Sequence, residues 1–457
     1  MSGGRLLSAG QEAFWFLHRL APGSAAYNVV TAVRIRGDLD LPRLNRAVRA
    51  IAERHDLVRS VFTEVDGEPR RLVRDPAVIR LEVREPAGWD RVHEAIEAAG
   101  RTPFRLADGE VPWRMILFRR ATAEAFLVLV AHHIATDATS QWLLLGDLLD
   151  EYQGGGDRRP AQSYDGYVEQ ERQLLASPER PRLAAFWRDA CAGAVPAELP
   201  TDRPRPTRQT FEGATCKIAL ADGTASRVRA AAASIGVGPF CFLLGVFMSL
   251  LYRHTGQDDL VVGCSATTRR GRGLRELVGY LVNPIVVRSR FGRDPTFATA
   301  ARAAQESVAN GMRQARYPFP VLVRDLELPR RADRSPLFQI TFTMIEASPL
   351  VPLSKLLPAA TEGAEIEYAG LRLTQLDIPQ MEGQFDLSVE LRQRAGGMAA
   401  VFRYSTDLFD AATIERLACH YARLTGIAVD DPGARIAEVP MLDEAELGQL
   451  LMFGAGG

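Results

Sequence analysis

The alternation of apolar and polar positions predicts strands and helices that mix along the whole chain. Segments 28–35, 113–118 and 126–130 are rich in β-branched residues or continuously apolar, a pattern typical of strands. Segment 126–130 is apolar at every position, so we expect it to be buried on both faces of a sheet. Further strands are predicted at 61–62, 260–262, 284–288, 338–344 and 385–391.

Helical patterns separate these strands. Apolar residues recur at helical spacing between positions 44 and 57, and residues 140–152 form an amphipathic pattern that Thr139 or Ser140 could cap. The most apolar run, residues 240–251, is shorter than the roughly 20 residues that a membrane span needs. We therefore expect it to be a buried core helix. The mixture of strands and helices indicates the α/β (α+β) class.

The length of the chain and one polar stretch suggest a division into two lobes. A chain of 457 residues can bury a large core and allows two or three domains. Residues 153–162 are rich in glycine and charge and are the clearest candidate for a linker. We therefore place an N-terminal lobe at 1–175 and a C-terminal lobe at 176–457.

Composition excludes several classes of partner. Lys and Arg number 55 and Asp and Glu number 56, a balance that argues against binding nucleic acid by bulk charge. The N-terminus has too short an apolar stretch for a signal peptide. The five cysteines are odd in number and contain no CxxC pair, which fits a reduced, cytoplasmic protein without a structural zinc site. We expect neither a nucleic-acid nor a membrane partner.

The best candidate for chemistry is the segment from His132 to Asp137, which reads HHIATD and follows the buried strand at 126–130. Strand ends are where open sheets present reactive groups. An imidazole can accept a proton from an attacking amine or hydroxyl, or can orient it. His133 is therefore the leading catalytic candidate, and His132 is either a second one or a buried loop residue. His254 and Asp258 have the same spacing without this context, and we expect them to be structural.

Other chemistries lack their sequence signatures. Two adjacent histidines point in different directions and no HExxH motif accompanies them, so a metal site is not predicted. The chain also lacks a phosphate-binding glycine loop and a GxSxG nucleophile motif. We expect no tightly bound cofactor, and a substrate that arrives already activated.

Short motifs follow one another in a characteristic order along nearly the whole chain. They are LSAGQ at 7–11, RHDLVR at 54–59, HHIATD at 132–137, LPTDRP at 199–204, TGQDD at 255–259, SPLFQ at 335–339, FDL at 385–387 and YSTDLF at 404–409. In this order the motifs resemble those of the condensation domains of nonribosomal peptide synthetases.

The resemblance implies a fold and a reaction. The fold is a V-shaped pseudo-dimer of two chloramphenicol acetyltransferase-like lobes with a central tunnel. A donor and an acceptor carrier protein, peptidyl or acyl, would each deliver a substrate on a phosphopantetheine arm. The product would be an amide or an ester in peptide or hybrid polyketide-peptide biosynthesis. The end of the chain is similar to the exit toward a downstream adenylation domain.

The resemblance also implies roles for individual residues. His133, with His132, would be the catalytic residue, acting as a base or as a positioning group. Asp137 would pair with Arg269 and hold the loop. Three residues would lie along the tunnel: Asn283, Ser335 and Gln339.

The sequence departs from the family pattern at Ala138, where the family has glycine after the motif aspartate. Glycine permits unusual φ angles and close backbone approach, so the added methyl could alter activity or donor preference. Two alternatives to condensation therefore stay open. One is a degenerate module that only binds carriers or recruits a partner. The other is a carrier-independent acyltransferase that uses coenzyme A or a free alcohol.

Overall fold

The computed structural model describes residues 4–448 except for 87, 121–123, 156–161, 272, 330, 347–350, 357–364, 381 and 395–396. Most of the linker predicted at 153–162 thus lies outside the described residues. The strands are β1 (Asn28–Arg36), β2 (Ser60–Val65), β3 (Glu68–Val73), β4 (Leu81–Arg84), β5 (Trp113–Arg120), β6 (Glu124–His132), β7 (Gly213–Ala219), β8 (Asp259–Thr267), β9 (Val282–Arg290), β10 (Ile340–Glu346), β11 (Glu365–Tyr368), β12 (Leu371–Leu376), β13 (Leu387–Arg394) and β14 (Gly397–Ser405).

Helices cover the sheets that these strands form. They are α1 (Ala9–Leu20), α2 (Leu41–Arg54), α3 (Val92–Gly100), α4 (Ala138–Gln153), α5 (Tyr164–Ala176), α6 (Arg180–Cys191), α7 (Thr224–Ser234), α8 (Pro239–Thr255), α9 (Phe297–Arg313), α10 (Phe319–Asp325) and α11 (Ala411–Asp430). The strands and helices confirm the mixed class, and each predicted strand overlaps an observed one.

Two six-stranded sheets, each with its own hydrophobic core, form two lobes. The first sheet has the order β11-β12-β1-β6-β5-β4 and the second the order β7-β14-β13-β10-β8-β9. β6 lies inside the first sheet, and all but the first of its residues are buried, as its apolar sequence predicts.

The division at residue 175 does not hold for every strand. β11 and β12 come from the second half of the chain, yet they pair with each other and β12 pairs with β1 of the first sheet. Leu371 and Leu373 of β12 belong to the first core. Residues 365–376 are therefore part of the first lobe, a correction to the predicted boundary.

The apolar run at 240–251 forms α8, which is buried from Cys241 to Leu251 and confirms the predicted core helix. No single helix of the described chain is long and apolar enough to cross a membrane. α7 and α8 reach the required length and composition only as a pair, and they are bent by 93° relative to each other.

Candidate active site

His133 lies in the turn that joins β6 to α4. β6 ends at His132, and residues His133–Ala135 form a single turn of 3-10 helix. The backbone N–H of His133 donates to the carbonyl of Tyr27 at 2.7 Å, which ties the turn to the start of β1. The end of a buried strand therefore presents this histidine, as the sequence predicts.

The imidazole of His133 is held in one tautomer. Its Nδ1 lies 2.8 Å from the carbonyl oxygen of Thr136. Because a carbonyl oxygen can only accept, Nδ1 carries the proton and Nε2 is left with a lone pair. Burial lowers the pKa of His133 below 6.5, although the Thr136 carbonyl and the Asp137 carboxylate oppose this change. The half-buried ring is thus neutral near pH 7 and able to accept a proton.

His132 has a different environment. Its ring is buried, and its Nδ1 accepts the N–H of Ile134 at 3.1 Å, so that the side chain caps the turn. Burial, aided by the neighbouring imidazoles of His18 and His133, holds the pKa of His132 well below 6.5. The geometry does not support a contact between His132 and substrate, and it favours the buried loop position over the catalytic one.

The neutral burial of His132 predicts a dependence of stability on pH. Below pH 6.5 the unfolded chain binds a proton at this histidine that the folded state does not bind until a lower pH. The free energy of unfolding should therefore decrease as the pH is lowered below 6.5. This histidine contributes up to about 1.4 kcal/mol per pH unit to the decrease. In His132→Asn the amide oxygen can still accept the N–H of Ile134, and this part of the slope should vanish.

Urea unfolding of both proteins at pH 7.5 and pH 5 measures the difference. His18, His133 and His254 also have a pKa lowered by burial, and they are present in both proteins, so the difference between the two slopes isolates His132. Equal slopes would show that the buried ring is not held neutral.

Asp137 and Arg269 form a buried ion pair between the two lobes. Asp137 follows β6 and Arg269 follows β8, and their side chains are 1% and 7% exposed. Nη2 of Arg269 donates to both carboxylate oxygens, at 2.8 Å and 3.0 Å. The carboxylate also accepts the N–H of Ser140, which makes Asp137 the N-cap of α4. The prediction that Thr139 or Ser140 caps this helix is wrong.

Ser140 instead connects the motif to the segment after β8. Its hydroxyl donates to the carbonyl of Gly279 at 2.8 Å, and it accepts the N–H of Gly279 and a guanidinium N–H of Arg269. The N–H of Leu281 donates to Asp137. Residues 279–281 are therefore fixed to the histidine loop at both ends.

Ala138 is the first residue of α4 and is exposed. The φ angle of Ala138 is not positive. The backbone at this position therefore does not adopt the positive φ that favours glycine.

The three residues predicted along a tunnel have polar contacts inside the second lobe. Asn283 donates to the carbonyls of Ala315 and Tyr317, and accepts the N–H of Phe319 at 2.7 Å. These bonds use its amide to hold the start of α10. The position of Asn283, Ser335 and Gln339 along a tunnel stays a prediction.

Gln339 donates to the carbonyl of Ser335 at 2.8 Å. Its Oε1 is buried and has no hydrogen-bond partner in the described part of the chain. Ser335 is half-buried.

Three residues that sequence reasoning did not assign to the site lie against it. Gln11 of α1 donates to the carbonyl of Ile134 at 2.9 Å, and the rings of Phe14 and Tyr280 pack on His133. The spacing of Ser8 and Gln11 matches a capping box, which α1 does contain. That signal could have located the helix, but nothing local indicates that its next turn contacts the histidine.

The described residues contain no group of three or more His, Cys, Asp or Glu side chains placed to hold a metal ion. All five cysteines are free. The arrangement offers one neutral acceptor, Nε2 of His133, on a turn that both lobes hold in place.

Comparison with known proteins identifies the family. The family model described as "Condensation domain" matches residues 2–451. One of the linear gramicidin synthase subunits of Brevibacillus parabrevis is 31% identical over 98% of this chain, which spans 9% of that protein. Phosphinothricin tripeptide synthetase PhsC of Streptomyces viridochromogenes is 31% identical over 97% of this chain, which spans 41% of that relative.

Solved structures share the fold. A four-domain nonribosomal peptide synthetase bound to AMP and glycine has a TM-score of 0.89 at 22% identity, over 98% of this chain and 34% of that one. The X-domain of teicoplanin biosynthesis, in complex with OxyB, has a TM-score of 0.84 at 26% identity, over 97% of both chains. The chain therefore belongs to the condensation domain family, whose members form amide bonds between carrier-bound substrates in nonribosomal peptide synthetases.

Proposed function

We propose that this domain transfers an acyl group from a thioester on a donor carrier protein to an amine on an acceptor carrier protein. Both substrates would arrive on phosphopantetheine arms through a tunnel between the lobes. A downstream adenylation domain would load the acceptor carrier. The five free cysteines favour a reducing, cytoplasmic setting.

The single observation that carries this proposal is the state of His133. Burial lowers the pKa of the imidazole, and its Nδ1–H donates to the carbonyl of Thr136. Its Nε2 has no hydrogen-bond partner among the described residues. A neutral imidazole with one fixed N–H is suited to accept a proton from an attacking amine, or to align that amine by a hydrogen bond. His132 and Asp137 support this ring and are proposed to have no contact with substrate.

The proposed step exchanges the C–S bond of the thioester for the C–N bond of an amide. The amine nitrogen attacks the thioester carbonyl carbon, a C–N bond forms, and the C–S bond breaks with its electron pair leaving on sulfur. The proton lost by the nitrogen passes to Nε2 of His133 and from there to the thiolate of the donor arm. When His133 only positions the amine, the proton passes to the thiolate without residing on the ring.

Intact-protein mass spectrometry tests the proposal. A donor carrier loaded with an acyl group is mixed with an acceptor carrier loaded with an aminoacyl group, over a panel of acyl chains, with and without the domain. We expect the acceptor to gain the mass of the acyl group and the donor to return to its free thiol. Carriers that lack the phosphopantetheine arm serve as controls.

Two other outcomes would replace the proposal. Equal transfer from acyl thioesters of free pantetheine would indicate a carrier-independent acyltransferase. Binding to a carrier without transfer for any acyl chain would favour a recruiting module, which the likeness to the X-domain in its complex with OxyB makes the second candidate. The complete set of His133, Asp137 and Arg269 favours the condensing enzyme.

A further inference from the structure

The ring of Tyr280 packs against the imidazole of His133. It meets the imidazole edge to face, with ring centroids 5.5 Å apart and planes at 88°. The ring of Phe14 lies nearly parallel to the imidazole, with ring centroids 5.5 Å apart and planes inclined by 8°. Phe14 and Tyr280 also contact each other at 4.9 Å and 86°. Three rings thus fix one another, and one member of the set is the proposed catalytic group.

The position of Tyr280 is set by bonds on either side of it. The N–H of Gly279 donates to the hydroxyl of Ser140, and the N–H of Leu281 donates to the carboxylate of Asp137. The carbonyl of Tyr280 itself accepts a hydrogen bond from the hydroxyl of Tyr164 at 2.7 Å. The backbone therefore cannot shift without breaking contacts to the histidine loop.

The first turn of α1 is shaped to receive this ring. A Cβ atom at Gly10 would lie 2.6 Å from Cε1 and 2.9 Å from Cδ1 of Tyr280. Atoms at such distances overlap, so the absent side chain at this position makes the room in which the tyrosine ring packs. The ring itself, through its faces and edges, is the part of Tyr280 that contacts His133, Phe14 and the first turn of α1.

We propose that Tyr280, together with Phe14, is a positioning residue that holds the imidazole of His133 with its Nε2 presented to substrate. This proposal rests on the proposed catalytic role of His133. Both rings contact the imidazole and restrict its rotation about the bond to Cβ. An error of about 1 Å in the placement of a reacting group can cost about 100-fold in rate.

Removal of the ring tests the proposal. In Tyr280→Ala we expect kcat to fall by about 10–100-fold with little change in KM for the acceptor carrier, because orientation and not binding is lost. Tyr280→Phe keeps the ring and should stay close to wild type. Tyr252→Ala is the matched control, since that ring stacks on Phe291 at 4.6 Å in the second lobe, away from the motif.

A second measurement needs no turnover. The titratable groups around His133 are His132 and Asp137 on its own loop, Tyr27 just before β1, whose carbonyl accepts the N–H of His133, and Tyr280. Loss of the tyrosine ring admits water, so the pKa of His133 should rise toward 6.5 in Tyr280→Ala. Histidine-selective NMR titration measures this pKa. The resonance of His133 is the one that is missing from the spectrum of His133→Asn.

Gly10→Ala provides a variant that displaces the ring without removing it. Its methyl group must push the tyrosine from its place, so kcat should fall in the same direction as in Tyr280→Ala but by less. Wild-type kcat and an unchanged His133 titration in Tyr280→Ala would overturn the proposal, as would an equal loss in Tyr280→Phe. No transfer by the wild type would instead contradict the proposed function. The titration of His133 would still show whether the ring of Tyr280 packs against the imidazole.

Discussion

Replacing His133 with alanine is expected to lower the rate of acyl transfer by about 10²–10⁴-fold, the range that a positioned acid–base group contributes. The melting temperature should change little. The backbone N–H of residue 133 keeps its bond to the carbonyl of Tyr27, which holds the turn in the variant. The loss of rate therefore reports on chemistry and not on folding.

Two further substitutions at this position separate a base from a positioning group. In His133→Asn the amide nitrogen takes the place of Nδ1 and can still donate to Thr136, while nothing replaces Nε2. In His133→Gln the amide reaches the position of Nε2 and can form a hydrogen bond but cannot accept a proton near pH 7. Activity that survives in the glutamine variant and not in the asparagine variant would indicate positioning.

The same residue sets the acid limit of activity. Burial holds the pKa of His133 below 6.5, so the wild type should lose activity only as pH falls below that value, when the ring becomes protonated. Single-turnover rates measured between pH 5 and pH 8 would show this decline. Full retention of rate in His133→Ala across this range would remove the histidine from the mechanism.

Much of the site could be predicted because it depends on neighbours in sequence. β6 is apolar throughout, the two histidines follow at its end, and an amphipathic pattern then predicts α4. The error at the helix cap has a local cause as well. Asp137, Thr139 and Ser140 are all residue types that cap helices, and the sequence does not say which of them faces the free N–H groups.

The contacts between lobes could not be predicted in the same way. Ser140 and Gly279 are 139 residues apart in sequence, and no periodic pattern relates them. The hairpin of β11 and β12 joins the first sheet for the same reason, since strand pairing over a long separation leaves no local signal. The ring of Tyr280 could be placed on His133 only after these pairings were known. The resemblance to the family located Arg269 near Asp137, and the structure supplies the distances.

Replacing Arg269 with alanine is expected to destabilise the fold by about 3–5 kcal/mol, as loss of one partner from a buried pair typically does. The carboxylate of Asp137, only 1% exposed, would stay buried without its counterion, and the carbonyls of Leu274 and Leu277 would each lose a guanidinium donor. Activity should fall with stability, because the loop that carries His133 is fixed through this pair. Urea unfolding measures the first effect and the carrier transfer assay the second.

A matched surface pair separates this effect from the general loss of an arginine. Arg49 and Glu53 form an exposed i,i+4 pair on α2, and Arg49→Ala should unfold much like wild type. Arg269→Lys keeps the charge but loses the planar fork that reaches Asp137, Ser140 and two carbonyls, so its stability should lie between wild type and the alanine variant.

A double-mutant cycle decides whether the pair itself is responsible. Asp137→Ala and Arg269→Ala should together cost less than the sum of their separate effects, because the double variant buries no unpaired charge. We expect a coupling of about 1–3 kcal/mol, at the upper end of that seen for residues in contact. Additive effects, or an Arg269→Ala variant that melts like wild type, would mean that the ion pair does not hold the two lobes to the histidine loop. The position of His133 would then depend on the strand end, Gln11 and the aromatic rings alone.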